Sequence, residues 1–258
     1  MSGAEEYSFA PSQTLVTGGE GLLARELCLA EPRLACPPRQ LFDVTEYAQM
    51  EAYVSSQDLT CIVHAAAFTS PPKINEHPLT AMEVNIVGTA NVVRLCMKHG
   101  YRLVYISTDY VFKGDVGNYR EDDPVLPANK YAWSKLGGEC AVQLYDNALI
   151  IRTTFGPNSF PFPKAFVDQW TSRESVSITA RLILRALQRD VRGILHVGGP
   201  RKTVYEYGKS LDPTKEIGEL RTTEVTFSVP RDTSLNTDKY LAEIGPFDLR
   251  VQQQSGNV

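Results

Sequence analysis

Five short apolar or β-branched runs divide the chain: Thr14-Leu15-Val16-Thr17, Cys61-Ile62-Val63-His64-Ala65-Ala66, Arg102-Leu103-Val104-Tyr105-Ile106-Ser107, Ala148-Leu149-Ile150-Ile151-Arg152 and Gly193-Ile194-Leu195-His196-Val197. Near-continuous apolar runs of this length predict strands buried on both faces. Between them stand segments with helical spacing: Leu22 to Glu31, Thr45 to Ser55, Leu79 to His99, Asn129 to Leu144 and Val176 to Gln188. Arg33 to Asp43 is broken by prolines and leaves room for a short second strand. Regular alternation of strand and helix predicts an α/β fold, a doubly wound parallel sheet with helices on both faces.

The first run ends in Thr17-Gly18-Gly19-Glu20-Gly21-Leu22-Leu23-Ala24. Gly18, Gly21 and Ala24 have G-x-x-G-x-x-A spacing. The first glycine permits a tight strand-to-helix turn, the second lets a pyrophosphate approach the backbone, and the small third residue lets helix and strand pack. The N–H groups of Leu22 and Leu23 then open a helix whose dipole favours phosphate. A strand before the turn and a helix after it make this a candidate Rossmann dinucleotide site. About twenty positions after the first glycine, NAD sites often carry an acidic residue. Here that neighbourhood is Pro37-Pro38-Arg39-Gln40. Arg39 suits the 2′-phosphate of NADP(H) or is a solvated loop charge, so NAD(H) stays open. Asp43 is placed near the adenine edge.

Tyr131 and Lys135 stand four residues apart and share a helical face. A phenol with an ordinary pKa of about 10 is a poor acid-base group at neutral pH. A neighbouring ammonium favours the phenolate and brings it nearer to working range. The same lysine can hold the nicotinamide ribose. Thr108, with Ser107, follows the third run at the edge where a hydroxyl can meet a reacting carbonyl. The candidate catalytic residues are therefore Thr108, Tyr131 and Lys135.

With these pieces in order, the chain resembles the extended short-chain dehydrogenase/reductase superfamily. More narrowly it is similar to the dTDP-4-dehydrorhamnose reductase group, which also contains the regulatory beta subunit of methionine adenosyltransferase. His64-Ala65-Ala66-Ala67-Phe68-Thr69 is similar to N-A-A-A-Y-T, Asn85 matches the family's helix asparagine, and Ser107 to Gly114 is close to S-T-D-Y-V-F-D-G. Tyr131 to Glu139, Arg152 to Gly156, Asp168-Gln169 and Pro230-Arg231-Asp232-Thr233-Ser234-Leu235-Asn236 resemble further family motifs. The resemblance implies an NADPH-dependent reductase of a nucleotide-linked keto-deoxysugar, in which Tyr131 gives a proton to the substrate oxygen. It also implies cofactor contacts from Gly18, Gly21, Leu22, Leu23, Arg39, Asp43, Ala65, Ala66, Ala67, Asn85, Ser107, Tyr131 and Lys135. Substrate contacts are expected from Asp109, Val111, Phe112, Trp133, Phe155, Asp168, Gln169 and Arg231. Tyr110 stands where a 4,6-dehydratase has the second of two acids, and no cysteine lies between Ser107 and Gly114 as an epimerase-reductase of the fucose synthase kind requires. A non-catalytic NADP-binding regulatory subunit, or an epimerase that recycles its cofactor, are the alternatives.

Two stretches break the alternation, Thr153 to Glu174 and Gly198 to Val258. Residues 1–151 with 175–198 are expected to form the NADP-binding domain, and 152–174 with 199–258 a small discontinuous cap. Pro157 to Phe166 replaces a longer family insert, and its three prolines make a helix there improbable. In those cap loops Arg173, Arg201 and Lys202 either meet a diphosphate or are solvated charges. A net charge of −4 argues against a broad nucleic-acid surface. The five scattered cysteines form no C-x-x-C and fit reduced cytosolic thiols better than disulfides or zinc. His64, His77, His99 and His196 lack ligand spacing, so no metal is expected. Met1 to Pro11 has no apolar core of a secretory signal, and no run of about 18 apolar residues exists. The expected location is the cytoplasm, without membrane or nucleic-acid partners, and a homodimer is left open.

Overall fold

The computed structural model describes residues 8–247. Five parallel strands form the central sheet in spatial order β1 (Thr14–Thr17), β2 (Cys61–His64), β3 (Arg102–Thr108), β4 (Ala148–Thr153) and, at the far edge, Gly193–Val197. The apolar runs are continuous because both sheet faces are covered. Val16, Val63, Val104, Ile106, Leu149 and Ile151 point to one core with Leu23, Leu27, Val176, Ala180 and Ile183. Leu15, Ile62, Leu103, Tyr105 and Ile150 point to the other with Met50, Val92 and Leu95. Successive strand residues thus alternate between two dry layers. The doubly wound parallel architecture is the one the alternation predicts.

Helices run over Leu22–Ala30 (α1), Tyr47–Val54, Pro71–Glu76, Lys130–Val142 and Val176–Leu187, with Met82–Val87 a π-helical turn between Pro78–Ala81 and Gly88–His99. The segment read as one helix from Leu79 therefore carries an extra residue in its middle, and Asn85 sits on that turn. Such π turns often mark functional sites. The strand anticipated in Arg33–Asp43 is only a bridge. Ala35 exchanges hydrogen bonds with β1, Val16 N–H to Ala35 O at 2.8 Å and Ala35 N–H to Thr14 O at 3.0 Å. Pro37 and Pro38 follow at once, and without N–H groups they cannot continue a ladder. Cys28 on α1 is disulfide-bonded to Cys36 beside that bridge, so the expectation of five reduced thiols is corrected to three: Cys61, Cys96 and Cys140. A separation of eight residues closing a helix onto the next loop is not a pattern that spacing alone reveals.

A second, smaller core gathers Phe160, Ala165, Val204, Tyr207 and Ile217. Its strands are two- and three-residue ladders: Lys164–Phe166 with Gly218–Leu220, Trp170–Thr171 with Lys202–Thr203, and Phe155–Gly156 with Glu174–Ser175. No helix forms between Pro157 and Phe166. The Asp238–Ile244 helix returns to the main body, where Tyr240 and Ile244 join the first sheet core and Tyr240 Oη donates to Leu182 O at 3.0 Å. Among the described residues no helix is long and apolar enough to cross a membrane.

Candidate active site

The chain leaves β1 outward to Ala35 on one side and returns in β2 on the other. In such sheets ligands bind at that reversal, beyond the carboxyl ends of the strands. Two adjoining cavities lie there and share Gly18, Gly21, Ala65 and Ala67. One, of about 300 Å³, is also lined by Glu20, Arg39, Asp43 and Ala66. The other, of about 380 Å³, is lined by Leu22, Leu23, Ser107, Thr108, Asp109, Tyr131, Lys135 and Phe155.

The turn between the cavities is made of backbone. Gly18 has φ +70°, and a Cβ there would lie 2.8 Å from Ala66 Cα. Only glycine fits that conformation and that approach of the β2 end. Gly21 precedes α1 with no side-chain cap, so the first N–H groups of α1 have no side chain to satisfy them and face the cavity with the positive end of the helix dipole. This cradle fits a pyrophosphate, and cavities on both sides fit a dinucleotide that it bridges. Arg39 pairs with Asp43 at 2.7 Å at the far end.

The other end is made of side chains. Asn129 Oδ1 accepts from Ala132 N at 2.9 Å and starts the helix that carries Tyr131 and Lys135. Glu139, one turn past Lys135, is fully buried and pairs with buried Arg152 of β4 at 2.9 Å. Gly138 lets the helix press against Tyr105 and the Asn85 carbonyl, and Tyr105 Oη donates to Lys135 O at 3.0 Å. Asn85 itself is enclosed. Its Oδ1 accepts from Phe68 N at 2.7 Å, and its Nδ2 donates to Phe68 O at 2.9 Å and Ser134 Oγ at 2.8 Å. It thus ties the segment after β2 to the helix that carries Tyr131 and Lys135. His64 is locked between Thr17 Oγ1 (2.8 Å) and Thr89 Oγ1 (3.0 Å), and burial lowers its pKa to about 3, with Lys135 adding to the shift.

Burial raises the Tyr131 phenol above its ordinary pKa, the Asp109 charge adds to this, and a hydrogen bond from Thr108 offsets part of it. Burial lowers Lys135 to about 7, partly opposed by Glu139. The Lys135 ammonium lies 4.1 Å from the Tyr105 ring centroid. The shift in Tyr131 therefore runs opposite to the phenolate expected from the spacing, because desolvation and the Asp109 charge outweigh the Thr108 hydrogen bond. A phenol held neutral is a proton donor. Asp109 is buried, near Thr108 Oγ1 (3.2 Å) and accepting from Thr233 Oγ1 (2.7 Å), and burial raises its pKa.

Several residues read as substrate contacts stand elsewhere. Val111 and Phe112 form a buried apolar cluster with Tyr119 and Leu235. Trp133 is 55% exposed and does not line the cavity. Asp168 accepts from Thr222 N and Thr222 Oγ1, both at 2.9 Å, and so joins two segments beside the smaller core. Gln169 is buried, and its carbonyl accepts from Val204 N at 3.0 Å. Arg231 lines a separate surface groove with Lys113 and Pro127. Conversely Thr69, Tyr110, Thr153, Thr154 and Arg173 line the cavity of Tyr131 and Lys135. Among the described residues, the hydroxyls of Ser107 and Thr153 are buried there without hydrogen-bond partners. The position of Thr153 and Thr154 at the end of a predicted strand is the signal that points to them.

A family model described as the RmlD substrate binding domain matches residues 12–185. The chain is 36% identical over 156 residues to a dTDP-4-dehydrorhamnose reductase of Streptomyces griseus, covering 56% of this chain and 51% of that protein. It is 28% identical over 240 residues to methionine adenosyltransferase 2 subunit beta of Xenopus tropicalis, covering 78% of this chain and 72% of that one. The structure of dTDP-4-dehydrorhamnose reductase from Bacillus anthracis in complex with NADP shares the fold, with a TM-score of 0.80, 23% identity and 95% of each chain covered. The chain spans about half the length of the reductases it matches. With the family model covering most of the sheet body and its cavities, the chain belongs to the RmlD substrate-binding-domain family.

Proposed function

We propose that the protein is an NADPH-dependent reductase of a nucleotide-linked keto-deoxysugar, acting in the cytoplasm. The observation that carries this reading is the convergence of Thr108, Tyr131 and Lys135 on the cavity that opens from the glycine turn. The cofactor, when bound, supplies hydride to the keto carbon. Tyr131, kept neutral by burial, gives its proton to the carbonyl oxygen, so that a secondary alcohol and oxidised cofactor result. Thr108 orients that oxygen, and Lys135 holds ribose and sustains the proton supply. Gly18, Gly21 and the first turn of α1 hold the pyrophosphate. Arg39 reaches a 2′-phosphate by exchanging Asp43 for it, and a ribose hydroxyl suits Asp43, which leaves NAD(H) usable. The small core around Tyr207 is the substrate cap. Replacing Tyr131 by Phe removes the proton donor, with its hydrogen bond to Thr108, and keeps the ring. Oxidation of NADPH against a panel of keto-sugar nucleotides is then lost while NADPH still binds. Normal turnover by that variant refutes the mechanism.

A second reading is a cofactor-holding subunit of another enzyme. The longer match to the adenosyltransferase subunit favours it, 78% of this chain against 56% for the reductase. Recovery of a stoichiometric partner enzyme, with no NADPH oxidation on any keto-sugar nucleotide, is its signature.

A further inference from the structure

Of the three cap cations Arg173, Arg201 and Lys202, the fold pairs two with acids. The Arg201 guanidinium meets Asp232 at 2.7 Å and lies 3.7 Å over the Trp170 ring. Lys202 is ion-paired with Glu174. Arg173 lines the cavity beside Tyr110, Thr154 and Phe155. It forms no ion pair among the described residues, and its Nε is buried without a hydrogen-bond partner. Its surroundings inside the protein are aromatic: a hydrogen bond with the Tyr110 phenol and the Tyr207 ring 5.9 Å from its centre. The acid that lines this cavity, Asp109, feels the Arg173 charge but forms no ion pair with it, and it accepts hydrogen bonds from Thr108 and Thr233.

The aim of Arg173 is built into the backbone on both sides. Trp170–Thr171 before it is laddered to Lys202–Thr203, and Glu174–Ser175 after it to Phe155–Gly156. Its own N–H donates to Thr171 Oγ1 at 3.1 Å. A cation fixed in a partly dry cavity with no ion pair of its own, and only the longer-range field of Asp109 to offset it, is stabilised when an anion arrives. A guanidinium matches planar or tetrahedral oxyanions through paired N–H donors. Lys135, the other cation of this cavity, is committed to the catalytic helix and the Tyr105 ring.

We propose that Arg173 is the receptor for an oxyanion carried by the substrate, either the diphosphate of a nucleotide sugar or the carboxylate of an acidic sugar. The proposal rests on reading this cavity as the reductase site. Its test measures binding alone. The NADPH-saturated full chain is titrated by calorimetry with dTDP and, separately, with glucuronate, for wild type, Arg173→Gln and Arg173→Lys. The wild type binds one of the two. Arg173→Gln weakens that binding by about 10- to 100-fold, Arg173→Lys recovers part of it, and the affinity for NADPH is the same in all three. A loss confined to dTDP assigns the diphosphate, and one confined to glucuronate assigns the carboxylate. Unchanged affinity in Arg173→Gln with NADPH binding intact overturns the proposal, as does failure of the wild type to bind either anion. Turnover enters none of these readings, so the reductase mechanism stands or falls separately on Tyr131→Phe.

Discussion

The two ends of the reaction cavity are built by different means. At the glycine turn the cavity is shaped by backbone: Gly18 at positive φ, Ala66 pressed against it, and the opening N–H groups of α1. At the other end it is shaped by side chains, each immobilised by a buried partner far away in sequence. Tyr131 and Lys135 depend on Asn85 of the π turn, Tyr105 and Thr108 of β3, and Arg152 of β4. The first end therefore tolerates many side-chain changes and fails when a Cβ is added. The second keeps its shape under conservative changes and fails when one polar atom is removed.

Loss of the Tyr131 hydroxyl is the sharpest way to separate the ends. General acid catalysis is worth about 10²- to 10⁴-fold, so Tyr131→Phe lowers kcat on the keto-sugar by that order with little change in NADPH affinity. Next in size is Glu139→Ala, which leaves the buried Arg152 guanidinium without its counter-charge. It costs about 3–5 kcal/mol of stability, read by denaturant unfolding, and Arg152→Ala costs a similar amount. Gly18→Ala acts on the backbone end alone. It forces a Cβ into Ala66 at φ +70°, costs about 1–3 kcal/mol, and weakens NADPH binding more than it alters the pKa values of the Tyr131 end.

The pH dependence has a definite sign. Lys135 has a folded pKa of about 7, below the usual lysine value of about 10.4. Between those values the unfolded chain binds more protons than the fold, so stability rises with pH in that window and is flat in this contribution below it. One proton gives a slope of at most about 1.4 kcal/mol per pH unit. Unfolding free energies of wild type minus Lys135→Met, measured from pH 7 to pH 10, show that rise. The smallest effect belongs to Trp133→Ala. An exposed ring outside the cavity changes stability by about 0.5 kcal/mol or less and leaves KM for the sugar unaltered.

The same contrast explains what was legible in the sequence. The sheet strands are visible because two dry faces impose continuous apolar runs, and the glycine turn because its requirements are local. Thr108, Tyr131 and Lys135 share a cavity with Gly18 and Gly21 in the way their order suggests. The smaller core is the reverse case. Its ladders are two or three residues long and pair segments tens of residues apart, which leaves no periodicity to read. For that reason Asp168 and Gln169 serve as cap joints rather than cavity walls, and Arg173 emerges from a group of three similar cations only when Asp232 and Glu174 are seen to take the other two. The π turn at Asn85 and the Cys28–Cys36 bond also depend on tertiary context that spacing does not encode.

The central claim is that one cavity delivers hydride and the Tyr131 proton to the same carbonyl. Incubation of the protein with a keto-sugar nucleotide and NADPH deuterated at the transferring position tests it most directly. The prediction is a product carrying one deuterium on the new carbinol carbon, formed by wild type and lost in Tyr131→Phe. Deuterium that stays in the cofactor across the keto-sugar panel, or a labelled product formed equally well by Tyr131→Phe, contradicts it.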